Sequence, residues 1–175
     1  MMILSVISFA LLFGYLVTMA KRKGVPDMVS DTFYQLGKGK GWIFSAVLTA
    51  SALMMMVCLL DSNKGLACAA FVGTVGVMFV GGAPNYLSQD EYLVHKTAAV
   101  VAAVGCTVWC LSVNIWPTVT LAAIYAAYLA AREVAKAAEG VWWIAPAAKG
   151  WHPWYWAETA AFADIFLTYW VCNLR

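Results

Sequence analysis

Residues 42–60 read WIFSAVLTASALMMMVCLL, a run without any charged side chain. A transmembrane α-helix needs about 20 mostly apolar residues to cross the ~30 Å hydrocarbon core of a bilayer, so this run is long enough to span it. The polar stretch DSNKG at 61–65 ends the run, and a second apolar run follows at 66–82. Two adjacent runs of this kind predict a helical hairpin in a membrane.

The composition extends this prediction to the whole chain of 175 residues. Hydrophobic residues make up 63% and charged residues 11%, whereas a soluble domain has roughly 45–50% apolar and about 25% charged residues. The 11 basic and 9 acidic side chains are too few to cover a soluble surface. We therefore exclude a cytosolic enzyme, a DNA-binding protein and a secreted disulfide-stabilised domain. The net charge of +2 gives no reason to expect a nucleic acid partner.

The pattern of the apolar runs predicts an all-α, polytopic transmembrane bundle of six helices in a single domain. The period-two alternation of membrane β-strands is absent, and helices satisfy their own backbone hydrogen bonds in lipid. In the first loop we expect a helical turn between an N-cap at Ser30 and a C-cap at Gly37. The apolar segment 137–153 contains two prolines and is expected to be interfacial or re-entrant. The predicted spans are residues 3–19, 42–60, 66–82, 93–113, 118–135 and 154–172.

The distribution of Lys and Arg predicts the orientation of these spans. With both termini outside, nine basic residues fall on the inner side and only Lys64 and Arg175 on the outer side. Cytoplasmic loops carry the excess of positive charge, so the bias indicates an N-out, C-out protein of a bacterial inner membrane. The partner expected for such a protein is the lipid bilayer that surrounds its helices.

Asp164 is the most informative polar residue, because charged groups inside the hydrocarbon are costly and often functional. It lies in the middle of the sixth predicted span, with no opposite charge within one helical turn. Such a carboxyl either binds a proton, cation or ligand, or forms a structural hydrogen bond to a neighbouring helix. Both interpretations remain open at this stage.

Further candidates lie on the predicted inner side. Glu158 precedes Asp164 by six residues, about 9 Å along the helix and roughly 120° around it. It could contact His95, which begins the fourth span and could relay a proton, or it could lie at the interface. Ser30 and Asp31 of the first loop complete a possible polar cluster.

The sequence contains no catalytic signature such as GxSxG or HExxH. Two histidines are few for a zinc hydrolase, which usually has three protein ligands. The five cysteines lie in or beside apolar runs without CxxC spacing, which favours packing over metal binding. We expect no resident metal or cofactor.

Three short motifs are similar to uncharacterised small multi-span proteins of gut Bacteroidetes. They are VPDMVSDTFY at 25–34, Gly82-Ala83-Pro84 and Val94-His95. The layout more remotely resembles six-helix proteins of the Frag/DRAM/Sfk type, and more weakly the ceramidase-like membrane hydrolases. The resemblance implies a six-helix bundle and no particular activity. The histidine pair that the hydrolases carry on a late helix is missing, and Glu158 and Asp164 occur there instead.

These observations favour binding or transport of a small molecule or ion through an inner-side polar cavity. Asp164 would bind a proton or cation, His95 and Glu158 would form the entrance, and Tyr155, Phe162 and Tyr169 could flank an organic ligand. One alternative is a membrane hydrolase with a metal at His95, Asp31 and Glu158. Another is an accessory subunit, forming a homo-oligomer or binding a partner membrane protein through small-residue helix faces. Such faces occur at alanines 122, 126 and 130, and at 123, 127 and 131.

Overall fold

The computed structural model describes residues 1–137 and 150–174, and this part of the chain is helical with no strand. The helices match the six predicted apolar runs, and the described part is thus all-α, as predicted. Its elements are α1 (Met2–Lys23), a 3₁₀ turn (Val29–Asp31), α2 (Thr32–Gln35), α3 (Trp42–Asp61), α4 (Ala67–Gly82), α5 (Gln89–Val113), α6 (Ile115–Ala137) and α7 (Pro153–Asn173).

Three helices, α1, α3 and α5, are long and apolar enough to cross a membrane. The apolar helix α4 has 16 residues, about 24 Å at the helical rise, which is shorter than a typical hydrocarbon core. The two remaining long helices, α6 and α7, are not apolar enough along their length to join these three, and they contain charged residues such as Glu133 and Asp164. The structure therefore supports a membrane-embedded helical protein.

The long helices run alternately up and down, which gives the molecule two distinct ends. The terminal end contains Met1, the 61–66 turn and the last turn of α7. There the Cys58 thiol donates to the Met1 carbonyl, and the Lys64 ammonium donates to the Cys172 carbonyl. The Trp109 indole joins α5 to the same turn through the Lys64 carbonyl, at 3.0 Å.

The opposite end, the loop end, contains residues 24–41, 83–88 and 150–152. The Tyr155 amide donates to the Asp27 carbonyl at 2.9 Å, and the Tyr34 hydroxyl donates to Asn85 Oδ1 at 3.2 Å. These bonds connect the first loop both to α7 and to the loop before α5. The described basic residues other than Lys64 belong to this half of the molecule: Lys21, Arg22, Lys23, Lys38, Lys40, Lys96, Arg132 and Lys136.

The closest helix packing occurs between α4 and α5. A Cβ placed on Gly73 would lie 2.5 Å from the Cys106 backbone nitrogen, and one on Gly105 would lie 2.6 Å from the Gly73 nitrogen. Gly73 and Gly105 therefore permit the two backbones to approach closely, whereas a Cβ on Gly82 would meet nothing within 4 Å.

The first loop contains the predicted helical turn, but Ser30 is not its N-cap. Ser30 lies inside the 3₁₀ turn, and the preceding Met28 has the extended backbone of a cap residue. The Met28 amide donates to the Asp31 carboxylate at 3.0 Å. The side chain that caps the 3₁₀ turn is therefore Asp31 and not Ser30. Gly37 has a φ of 81° just after α2, as expected for a helix end.

The predicted interfacial segment 137–153 lies mostly outside the described residues. Only its two ends are described: α6 extends to Ala137, and α7 begins at Pro153.

Candidate ligand-binding cavity

A cavity of about 110 Å³ lies inside the bundle and extends from the 3₁₀ turn at the loop end to Cys110 and Asp164. Its wall is largely apolar, and two carboxyl-bearing residues, Glu158 and Asp164, interrupt it. Two further polar residues line the cavity, Ser30 at its loop-end side and Thr107 of α5. The remaining lining comes from Val29 of the 3₁₀ turn and from four helices, including Phe44 and Leu48 of α3, Val77 and Val80 of α4, Ala102, Cys106 and Cys110 of α5, and Phe162 and Ile165 of α7.

The cavity opens on the flank between α5 and α7. Ala99, Ala103 and Thr107 of α5 and Ala161 of α7 line it and are also exposed on the surface. The α5 residues belong to the middle of that helix rather than to either end. We refer to this gap, defined by these four residues, as the α5–α7 opening.

Asp164 forms the hydrogen bond to a neighbouring helix that the sequence left as one of its two interpretations, and it also borders the cavity. The side chain is 7% exposed and lines the cavity. It also accepts a hydrogen bond from Thr118 Oγ1 at 2.7 Å and one from Thr168 Oγ1 at 3.3 Å. The bond from Thr118 connects α6 to α7, so Asp164 both borders the cavity and joins two helices.

Glu158 lines the same cavity, six residues or about one and two-thirds turns closer to the loop end. Its Oε2 accepts a hydrogen bond from the Val29 amide at 2.7 Å, which connects α7 to the first loop. The sequence placed Glu158 and Asp164 roughly 120° apart around the helix. Both carboxyl groups border one cavity because the cavity extends along α7 from Glu158 past Ala161 and Phe162 to Asp164.

The hydrogen bonds of His95 do not include Glu158, so the contact between them, one of the two interpretations of Glu158, is not formed. The Nε2 of His95 lies 3.0 Å from Ser30 Oγ, and its Nδ1 lies 2.8 Å from the Ala83 carbonyl oxygen. The 3₁₀ turn lies between the two side chains, because Val29 contacts Glu158 and Ser30 contacts His95. Ser30, rather than His95, lines the cavity.

Asp31 faces away from the cavity toward the loop before α5. It accepts a hydrogen bond from the Tyr86 hydroxyl in addition to the Met28 amide. Burial, together with this hydrogen bond and the negative charge of Asp31, raises the pKa of the Tyr86 phenol well above its ordinary value. Asp31 is therefore part of the loop-end framework.

Of the three aromatic residues expected to flank a ligand, only Phe162 lines the cavity. Tyr155 and Tyr169 are buried in the packed core, 4% and 3% exposed. Sequence reasoning missed Thr118 and Thr168 as partners of Asp164. Thr168 could have been found, because it follows Asp164 by four residues on one helical face. Thr118 carried no local signal, since its role depends on how α6 packs on α7.

The residues proposed for a metal-dependent hydrolase do not assemble into a ligand set. Across residues 1–137 and 150–174, no group of three His, Cys, Asp or Glu side chains is placed to hold a metal ion. Both imidazole nitrogens of His95 already face other atoms, Ser30 Oγ and the Ala83 oxygen.

Comparisons of the chain with known protein families, with curated proteins and with solved structures found no match.

Proposed function

We propose that the protein is a six-span membrane protein that binds, and transports, a small organic molecule with an apolar body and a cationic head. The observation that carries the proposal is an apolar cavity whose wall is interrupted by two carboxyl groups, Glu158 and Asp164. Ligand sites typically combine mostly apolar walls with a few placed polar groups. The two carboxyl groups favour a ligand whose polar end is positively charged.

A buried carboxylate is costly unless a cation or several hydrogen-bond donors compensate it. The ion pairs of the described residues involve Glu133 and Asp27, and neither Glu158 nor Asp164 takes part in one. Within residues 1–137 and 150–174, each of the two accepts hydrogen bonds from neutral donors only. An ammonium or similar head group would supply the missing positive charge.

The position of the opening indicates the route of entry. The α5–α7 opening lies at the middle of α5, one of the helices long and apolar enough to span. In a membrane this level corresponds to hydrocarbon rather than water. We therefore expect the ligand to partition into the bilayer and to enter sideways, with its apolar body against Phe162 and Ile165.

Benzylamine is a suitable probe, because it has a small apolar ring and one ammonium group. We expect the detergent-purified protein to bind it, and to bind the neutral benzyl alcohol more weakly. Asp164→Asn and Glu158→Gln should each weaken benzylamine binding by about 10- to 100-fold, since hydrogen bonds to charged groups contribute about 1.5–3 kcal/mol. Isothermal titration calorimetry measures both ligands directly.

Asp61→Asn is the matched control, because it removes an exposed carboxylate at the terminal end. Its affinity for benzylamine should equal that of the unmodified protein. The cationic ligand would be refuted if the Asp164→Asn and Glu158→Gln variants bound benzylamine as tightly as the unmodified protein does. It would also be refuted if the unmodified protein bound benzyl alcohol as tightly as benzylamine. A circular dichroism spectrum of each variant checks that the helices are intact.

One observation favours a second candidate, an accessory subunit in a homo-oligomer or a larger membrane complex. The two alanine rows of α6 lie on its exposed side, apart from α5 and α7. Small-residue faces allow close helix association in lipid. Co-purification in mild detergent tests this candidate: Ala126→Leu and Ala127→Leu should dissociate such a complex and leave the benzylamine site unchanged.

A further inference from the structure

Ser30 and His95 form a buried pair that the proposed ligand site does not use. Their side chains meet at 3.0 Å between Ser30 Oγ and His95 Nε2. Ser30 is 8% exposed and His95 is 7% exposed. They come from distant parts of the sequence, the first loop and the start of α5, so this contact is a product of the fold.

The hydrogen bonds of His95 fix which ring nitrogen carries the proton. Nδ1 lies 2.8 Å from the Ala83 carbonyl oxygen, and a carbonyl oxygen can only accept. The proton of the neutral imidazole is therefore on Nδ1, and the lone pair of Nε2 faces the Ser30 hydroxyl. The Tyr86 ring packs on the imidazole with centroids 5.1 Å apart and limits its rotation.

This arrangement has the three parts of an activated serine. There is a hydroxyl within hydrogen-bond distance of a base, and the second nitrogen of the base is oriented by an acceptor. In this protein a backbone carbonyl takes the orienting position that a carboxylate often occupies. Ser30 also lines the apolar cavity into which the α5–α7 opening leads.

We propose that Ser30 and His95 are a nucleophile and its general base, and that they hydrolyse small apolar esters bound in the cavity. Ser30 Oγ forms a bond to the ester carbonyl carbon while its proton passes to His95 Nε2. The bond to the alcohol oxygen then breaks, and the alcohol leaves with that proton. Water attacks the acyl-serine, its proton passing through His95 back to Ser30, and the net products are a carboxylic acid and an alcohol.

The proposal goes beyond amine binding, since it needs an apolar cavity but no cationic head group. A fluorophosphonate probe reports on it directly, because such a probe forms a stable bond only with an activated serine. We expect the full chain in detergent micelles to be labelled by an alkyl fluorophosphonate, with mass spectrometry placing the adduct on Ser30. It should also release p-nitrophenol from p-nitrophenyl butyrate.

Three variants test the assignment. Ser30→Ala should abolish both labelling and p-nitrophenol release, whereas Ser88→Ala, a serine of the neighbouring loop, should change neither. His95→Gln keeps a polar group beside Ser30 but removes the base, and should slow labelling about 100-fold or more. A purely structural hydrogen bond would not make the labelling rate depend on the base.

Absence of an adduct on Ser30 in the folded, monodisperse protein would overturn the proposal, as would labelling whose rate does not change in His95→Gln. Benzylamine titration of the same preparation separates the two proposals. Ester hydrolysis can fail while the amine still binds, and amine binding can fail while Ser30 is still labelled.

Discussion

Tyr86 shows how one side chain holds the loop end together. Its hydroxyl donates to Asp31, and its ring packs on Tyr34, with centroids 5.4 Å apart, and on His95. It therefore joins the first loop to the segment that precedes α5. The imidazole that faces Ser30 depends on this framework for its orientation.

The raised pKa of Tyr86 predicts a loss of stability at alkaline pH. The folded state favours the neutral phenol more than the unfolded state does, because burial and the Asp31 carboxylate disfavour the phenolate. This stabilisation is complete below about pH 10, the ordinary pKa of tyrosine, and is lost as the pH rises toward the higher folded-state value. The melting temperature of the purified protein should fall across this interval.

The Tyr86→Phe variant should show a lower melting temperature at about pH 8 and a smaller further loss up to about pH 11. Tyr92→Phe serves as the comparison, because Tyr92 is 48% exposed. The Tyr92 variant should follow the unmodified protein at every pH. Equal alkaline losses in all three proteins would show that the hydrogen bond between Tyr86 and Asp31 does not contribute.

At the scale of the elements, helices α4 and α5 can pack closely because Gly73 and Gly105 have no side-chain atoms at their contact. Gly73→Val would place a Cβ 2.5 Å from the backbone nitrogen of Cys106. The helices would have to separate, and we expect a loss of about 1–3 kcal/mol in the free energy of unfolding, as is typical of overpacked interiors. Unfolding by sodium dodecyl sulfate in mixed micelles measures this loss.

Gly14→Val is the matched control, since Gly14 is also inside a long helix and a Cβ there would meet nothing within 4 Å. Both substitutions carry the same change in helix propensity. The unfolding midpoint of Gly14→Val should stay near that of the unmodified protein. If both variants lose the same stability, close packing at Gly73 does not explain the effect.

The helices were predictable because each long apolar run admits one structure in lipid, a helix with its backbone bonds satisfied internally. The ends of the helices were less predictable. Helix α5 begins at Gln89, whereas the predicted span begins at Leu93, because the first turn of the helix is polar and lies outside the apolar run. The partners of the site residues could not be predicted. Val29 meets Glu158, and Thr118 meets Asp164, only through loop geometry and the packing of α6 on α7.

The hydrogen bonds between serines of neighbouring helices could not be predicted from the sequence either. Ser8 of α1 donates to the Ser51 carbonyl of α3 at 2.8 Å, and Ser51 donates to the Ser8 carbonyl at 3.1 Å. Serines inside apolar runs have no periodicity that indicates a partner. Their contribution is of the kind expected between membrane helices, about 0.6 kcal/mol on average.

At the scale of the whole molecule, the two ends differ in charge and in polar contacts. The basic residues concentrate toward the loop end, while the terminal end has Lys64. The loop end also carries the bonds between the first loop, α5 and α7. If the excess of positive charge faces the cytoplasm, Ser30 and His95 lie near the cytoplasmic surface, and the α5–α7 opening lies within the bilayer.

This orientation can be tested with single cysteines in a Gram-negative bacterial host. In a background with Cys68 and Cys172 changed to Ser, Asn63→Cys marks the terminal end and Lys38→Cys marks the loop end. Both positions are exposed. A membrane-impermeant maleimide added to intact cells with a permeable outer membrane should label Asn63→Cys and not Lys38→Cys, and lysis should make Lys38→Cys reactive.

The opposite labelling would invert the orientation and place the loop end outside. Equal labelling of both positions in intact cells would contradict a membrane between the two ends, and with it the six spans and sideways entry of the ligand. The remaining cysteines, Cys58, Cys106 and Cys110, are buried and should stay unreactive in every sample, so the background chain without an introduced cysteine sets the baseline. The predicted pattern follows from the charge bias alone, because positive residues are retained on the cytoplasmic side during insertion.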